Sequence, residues 1–246
     1  LATFQEAMRR GCRLVAIATG GDLAAIAEEK GYPLLRFPPC LAPRAAIGYS
    51  VVLLLGLLYR AGLVRDYGED LDEAVAVVEE WGKDLRPETP TVRNPAKRLA
   101  GQLLGRLPVV YGAGFLAPVA RRWKGQFNEN AKQWAFWEEM PELNHNAVVG
   151  YGIPEGVRER AYVLMLRSLL DHPRVRARWE VTRELLLQEG VAMDEVWARG
   201  QSRLAQMLSL IHFGDYVSLY LAVLNGVDPT PVPPIDYLKG RLSGMG

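Results

Sequence analysis

Cysteine is nearly absent from this chain, with Cys12 and Cys40 alone among 246 residues. Two thiols build neither a disulfide framework nor a structural zinc site. Cys12 opens an apolar run and Cys40 follows two prolines, so both read as buried thiols, and such usage fits a reducing cytosol. An excess of one charge is missing too. The 29 Lys and Arg set against 28 Asp and Glu leave a net charge of +1, which gives no electrostatic footprint for a nucleic-acid partner. Histidine numbers only 3, and no His, Cys and carboxylate cluster has ligand spacing, so no metal is expected. The longest uncharged, mostly apolar stretch runs from Ala45 to Tyr59, between Arg44 and Arg60. A membrane-spanning helix needs about 20 such residues. The stretch therefore reads as a buried helix of an α/β core, and no membrane partner is expected.

Apolar residues make up 49% of the chain, enough for one large domain or two smaller ones. Leu14–Thr19 is a short apolar run ending at Gly20-Gly21. Asp22 is placed to cap a helix over Leu23–Lys30, Gly31 to end it, and Pro33–Phe37 to form the next strand. Strand, helix and strand in this order imply a parallel sheet. The helices from Ala45 and over Leu71–Lys83 would cover it. Asp84–Pro95 is polar and carries three prolines, the pattern of a linker. Beyond it the expected elements are a helix Ala96–Gly105, a strand Leu107–Tyr111, a turn at Gly112-Ala113-Gly114 and a helix past Arg121. Further strands are expected at Val148–Tyr151, Ala161–Leu166 and Glu195–Ala198, and long helices at His172–Gln188 and Gln201–Leu224. The fold class is α/β, with two doubly wound parallel-sheet domains. Residues 1–88 would form the end of the first and residues 89–246 the second.

Two segments carry chemistry. Gln126-Phe127-Asn128-Glu129-Asn130-Ala131-Lys132 and Pro141-Glu142-Leu143-Asn144-His145-Asn146 set a carboxylate and an imidazole each between two asparagines. Glu and His are the usual pair for moving protons on and off a carbon beside a carbonyl. Asparagine can orient such groups without adding charge. The same letters also suit a helix cap and a turn. His172 lies before Pro173 at a helix start and His212 on the apolar face of a long helix, so both read as structural.

These two segments, their order and their spacing resemble the bifunctional phosphoglucose/phosphomannose isomerase family, built from sugar isomerase (SIS) domains. The resemblance extends to Ala18–Ala24, Pro43–Tyr49, Asn94–Ala100, Gly214–Ala222, Gly226–Val232 and Leu238-Lys239, spanning essentially the whole chain. It implies a cofactor-free aldose–ketose isomerase of glucose 6-phosphate or mannose 6-phosphate. It further implies a cytoplasmic homodimer with a shared active site, whose partner is the sugar phosphate. In that family the glutamate matching Glu129 moves the proton between C1 and C2. The histidine matching His145 opens the sugar ring, from across the dimer. The arginine matching Arg44 steadies the enediolate, and the lysine matching Lys239 lies near the ring oxygen. A threonine near the place of Thr230 bears on the choice between glucose and mannose phosphates.

One departure stands at the N-terminus. The family cradles phosphate with a Ser/Thr-rich loop of the type Ser-x-Ser-Gly-Asn-Thr-x-Glu-Thr, and no such stretch occurs here. By block order it would precede Leu1, so the expectation is an N-terminally truncated member whose first domain is incomplete. Two readings compete. Gly112-Ala113-Gly114-Phe115-Leu116-Ala117 fits a dinucleotide fingerprint, but Lys124–Ala135 does not look like the acidic-ended strand that should follow. A non-catalytic phosphosugar-binding SIS regulator needs no proton-transfer pair, and Glu129, His145 and Arg44 are all present.

Overall fold

The computed structural model describes residues 1–39 and 42–244. It contains two compact units, Leu1–Tyr67 and Gly68–Gly246. Cys40 lies outside the described residues.

The first unit runs α1 (Ala2–Arg9), β1 (Ala16–Ala18), α2 (Gly21–Glu29), β2 (Leu34–Arg36) and α3 (Ile47–Arg60). β1 and β2 pair in parallel, Ala16 opposite Leu34 and Ala18 opposite Arg36, as the strand–helix–strand pattern requires. Two expectations fail here. Cys12 is exposed, because it follows the end of α1 rather than entering β1. α3 is not a buried helix: none of its residues is buried. Tyr49 (44%), Val52 (50%) and Leu54 (49%) stand well exposed. A sheet of two three-residue strands has too little surface to cover a helix of 14 residues.

The second unit opens with α4 (Gly68–Leu85), α5 (Pro95–Leu103), β3 (Leu107–Ala113), α6 (Ala117–Glu129) and β4 (Phe136–Met140). It continues with the short α7 (Glu155–Arg158), β5 (Ala161–Arg167), α8 (Pro173–Gln188), β6 (Ala192–Trp197), α9 (Arg203–Leu224) and α10 (Pro233–Ser243). The sheet is parallel throughout, in the order β4-β3-β5-β6. On one face α6 packs on β3 and β4, and α9 packs on α4, α5 and α6. On the other face a core of Tyr111, Met140, Leu143, Met165, Trp179 and Leu186 lies beneath α8 and the segment after β4. α9 is, among the described residues, the one helix long and apolar enough to cross a bilayer. Its packing against three other helices makes it the centre of the unit.

The helix expected over Leu71–Lys83 is α4, and its partners are α9 and α5. The proline-rich stretch behind it is pinned rather than loose. Asn94 is fully buried. Its Oδ1 accepts from the Ala96 and Lys97 amides (3.0 and 3.1 Å) and its Nδ2 donates to the Arg86 carbonyl (3.1 Å). One side chain thus caps α5 and holds the end of α4. The strand expected at Val148–Tyr151 is instead a single helical turn, Ala147–Val149. β4 and α10 were not foreseen.

Candidate active site

The glutamate segment is the end of α6, and its letters are explained by α9. Gln126 donates to Asp215 (2.6 Å), and Arg122 reaches the same carboxylate (3.0 and 3.1 Å). Phe127 is fully buried. Asn130 donates to the Ser218 hydroxyl (2.9 Å). Two blocks distant in sequence, Gln126–Asn130 and Gly214–Ala222, therefore form one helix–helix seam. Burial pushes the Asp215 carboxyl above its ordinary range, with Arg122 and Gln126 pulling the other way. Trp123 completes the seam: its indole N–H donates to the Leu210 carbonyl (2.8 Å).

The start of α6 is set by Gly112. A Cβ there would lie 2.8 Å from the Ala117 Cα and 2.9 Å from the Ala120 Cβ, so the bare backbone lets α6 fold tightly back along β3. This is the packing turn expected of the glycine pair. The following strand that the dinucleotide reading required does exist, as β4, with Glu138 and Glu139 near its end. Its supposed absence therefore does not count against that reading.

α6 runs antiparallel to β3, so its C-terminal end returns to the edge where the strands begin. The loop behind it is tied there. Gln133 donates to the carbonyls of Leu103 (2.9 Å) and Arg106 (2.7 Å), just ahead of β3. Asn128 donates to the Gln133 carbonyl (2.9 Å). Asn225, at the end of α9, donates to the Ala131 carbonyl (3.0 Å) and to the Gln133 side chain (2.9 Å). Lys132 donates to the carbonyls of Glu129 and of Pro229, the latter at 3.2 Å. Beside Pro229, the Thr230 amide donates to Asp228 (2.8 Å). Glu129 and the Thr230 loop thus share one platform. Lys239 follows on α10, exposed.

His145 is elsewhere. β4 carries the chain to the opposite edge, where Met140 pairs with Ala113 at the end of β3. His145 follows a helical turn at Glu142–Asn144 and is exposed. Its flanking asparagines brace other groups. Asn144 donates to Thr182 (2.7 Å) and Asn146 to Glu142 (3.0 Å). The asparagines around both ionisable residues hold loops and helices, where the sequence suggested that they orient the carboxylate and imidazole. Trp134 and Phe136, near Glu129 in sequence, are exposed (72% and 41%) and lie against each other. Arg44 lies in the first unit, on a one-turn helix at Pro43–Ala46.

The two other histidines, both read as structural, lie at the start of α8 and within α9. The His172 ring accepts from the Arg174 amide (3.2 Å) and caps α8. His212 stands edge-on to Tyr216. Lys132 and Asp215 entered the sequence reading only as members of matching blocks, with no role assigned, and Gln133 and Asn225 were not singled out. Only Asn225-Gly226 carried a local signal, that of a helix end.

Residues 92–242 match the family described as the bacterial phospho-glucose isomerase C-terminal SIS domain. The chain belongs to this family. It is 41% identical over 244 residues to the bifunctional phosphoglucose/phosphomannose isomerase of Caldicellulosiruptor bescii, covering 99% of this chain and 72% of that protein. It is 35% identical to the protein of the same name from Aquifex aeolicus, covering 98% of this chain and 71% of the relative. Among solved structures it resembles a glucose-6-phosphate isomerase-like protein from Thermus thermophilus. That match has 25% identity and a TM-score of 0.60, and covers 87% of this chain and 73% of the other. Family membership takes the place of the dinucleotide reading.

Proposed function

We propose that the chain interconverts an aldose 6-phosphate, glucose or mannose, with fructose 6-phosphate. The observation that carries this reading is membership of the family together with the shared platform of Glu129 and the Thr230 loop. In the open-chain sugar the C2 proton lies beside the C1 carbonyl and is acidic. Glu129 removes it, a cis-enediolate forms, and the same carboxylate returns the proton to C1. The O2 hydroxyl proton passes to O1 as well, so C2 is oxidised as C1 is reduced within one molecule and no redox cofactor enters. Arg44 supplies the charge that steadies the enediolate, and a guanidinium suits this because it stays protonated. His145 opens the ring, with Lys239 beside the ring oxygen, and Thr230 meets the end of the sugar that differs between the two substrates.

The wide separation of Glu129 and His145 supports a homodimer in which each site takes its glutamate from one copy and its histidine from the other. A cytoplasmic location and an organisation into two SIS-like lobes go with this reading. The test is an isomerase assay with glucose 6-phosphate and mannose 6-phosphate, each with and without EDTA. Turnover of both that EDTA leaves unchanged is expected. Tight binding of either sugar phosphate with no turnover would point instead to a regulator.

A further inference from the structure

Lys132 is the one non-glycine residue with positive φ among the described residues, at +54°. L-residues avoid this left-handed region because Cβ crowds the backbone, and glycine usually fills it where helices end. The chain follows that rule elsewhere: α2, α8 and α9 are followed within two residues by Gly31, Gly190 and Gly226, all near +70°. After α6 the left-handed residue comes third, one position later, and it is a lysine. The ammonium group accounts for the choice. It donates to the carbonyl of Glu129 and to that of Pro229, 97 positions further along. It therefore joins the helix end that carries the proposed base to the loop that carries Thr230. Glycine would suit the backbone better and would lose this tie.

We propose that Lys132 is a positioning residue for the isomerisation, holding the Glu129 carboxylate and the Thr230 loop in register over one substrate. The proposal rests on the isomerase reading above. Asn225 and Gln133 anchor the same loop to α9 and to the start of β3. Loss of the lysine therefore leaves the loop folded and frees only its alignment with the Thr230 segment. A misplacement of about 1 Å at a reacting group can cost a factor on the order of 100 in rate.

The experiment compares Lys132→Met, which keeps the stem and loses the ammonium, with Lys132→Gly, which also relaxes the backbone, and Lys132→Arg, which keeps a donor. Steady-state constants for both sugar phosphates and a urea unfolding midpoint are measured for each, beside Glu129→Gln. Lys132→Met is expected to lower kcat by roughly 10- to 100-fold, with KM for one sugar changed more than for the other. Its unfolding midpoint stays near that of the parent. Lys132→Gly shows the same loss of kcat despite its freer backbone, and Lys132→Arg recovers part of it. Near-parental kcat in Lys132→Met while Glu129→Gln is inactive overturns the positioning role alone. So does recovery of full activity in Lys132→Gly. Turnover surviving in Glu129→Gln overturns Glu129 as the base, and with it the role of Lys132, while a parent that turns over neither sugar phosphate overturns the isomerase reading on which the role depends.

Discussion

Glu129 and His145 lie at opposite ends of the strands of one parallel sheet. The first ends α6, beside the start of β3, and the second follows the end of β4. The five-residue β4, at roughly 3.3 Å per residue, already separates the two ends by more than a hydrogen bond can bridge. The proposed mechanism therefore draws the pair from two copies of the chain. This gives the proposal its sharpest consequence.

Mixing a Glu129→Gln chain with a His145→Ala chain should restore activity that neither has alone. In a mixed dimer one site holds both defects and the other holds none. Random re-association then recovers roughly a quarter of the parental rate, since half the dimers are mixed and each has one intact site. The check is an assay after the two proteins are unfolded together and refolded. Mixtures that stay as inactive as the separate variants would rule out a site built across two copies.

Glu129→Gln by itself should lower kcat by about 10²- to 10⁴-fold, the usual contribution of a positioned base. KM should change little, because the amide keeps the size of the carboxylate. Stopped-time assays with glucose 6-phosphate and mannose 6-phosphate measure both constants.

Gly214→Ala should destabilise the second unit. A Cβ at this position in α9 would overlap the Trp123 indole, with Cδ1 2.8 Å away, and Trp123 is itself almost fully buried. Overpacking of this kind costs about 1–3 kcal/mol. The gain in helix propensity from Gly to Ala, about 1 kcal/mol, is the smaller term because the indole is also tied to the Leu210 carbonyl. A lower urea midpoint with an unchanged slope is the expected result.

Asn94→Ala should lose about 1–2 kcal/mol. The side chain caps α5 and also satisfies the Arg86 carbonyl, so its removal leaves partners unmatched at both ends of the connection. Asn94→Asp should recover the cap but not the bond to Arg86. Chemical unfolding of the two variants separates these contributions.

His212 should make stability depend on pH. Burial holds its pKa below the ordinary value, with Asp215 opposing. The unfolded chain therefore binds the proton more readily, and folding favours the neutral ring. Stability from this source is present above about pH 6.5 and falls as pH drops through the window between the unfolded and the lower folded pKa. Unfolding midpoints taken on both sides of that window should show a loss on the acid side that His212→Gln reduces. An equal acid-side loss in the variant would assign the effect to other groups.

Much of the architecture was legible because burial writes itself into apolar periodicity. β3 and β5 are central strands and read as continuous apolar runs, and α8 and α9 as long helices between clear ends. β4 was missed because Phe-Trp-Glu-Glu-Met occupies an edge, where half-exposed positions tolerate adjacent acids. Val148–Tyr151 has the letters of a strand. Gly150 within it and Gly152 beside it allow a turn, and the Tyr151 hydroxyl accepts from that of Tyr111 (3.1 Å), fixing the segment over the sheet face. α3 was misjudged because apolar composition measures the tendency to be buried, and says nothing of whether a neighbour is there to bury it.

The sequence by itself determined the family, the α/β alternation and the two segments that hold a carboxylate and an imidazole. These are properties of local letters and of their order. Only the tertiary structure decided what the letters around them do. Gln126, Asn128 and Asn130 brace α6 and its loop through hydrogen bonds, two of them to Asp215 and Ser218. Lys132 takes a conformation that glycine would adopt more easily and ties Glu129 to a loop nearly a hundred residues away. Such bonds join groups far apart along the chain, and they come into existence only when helices and strands have packed.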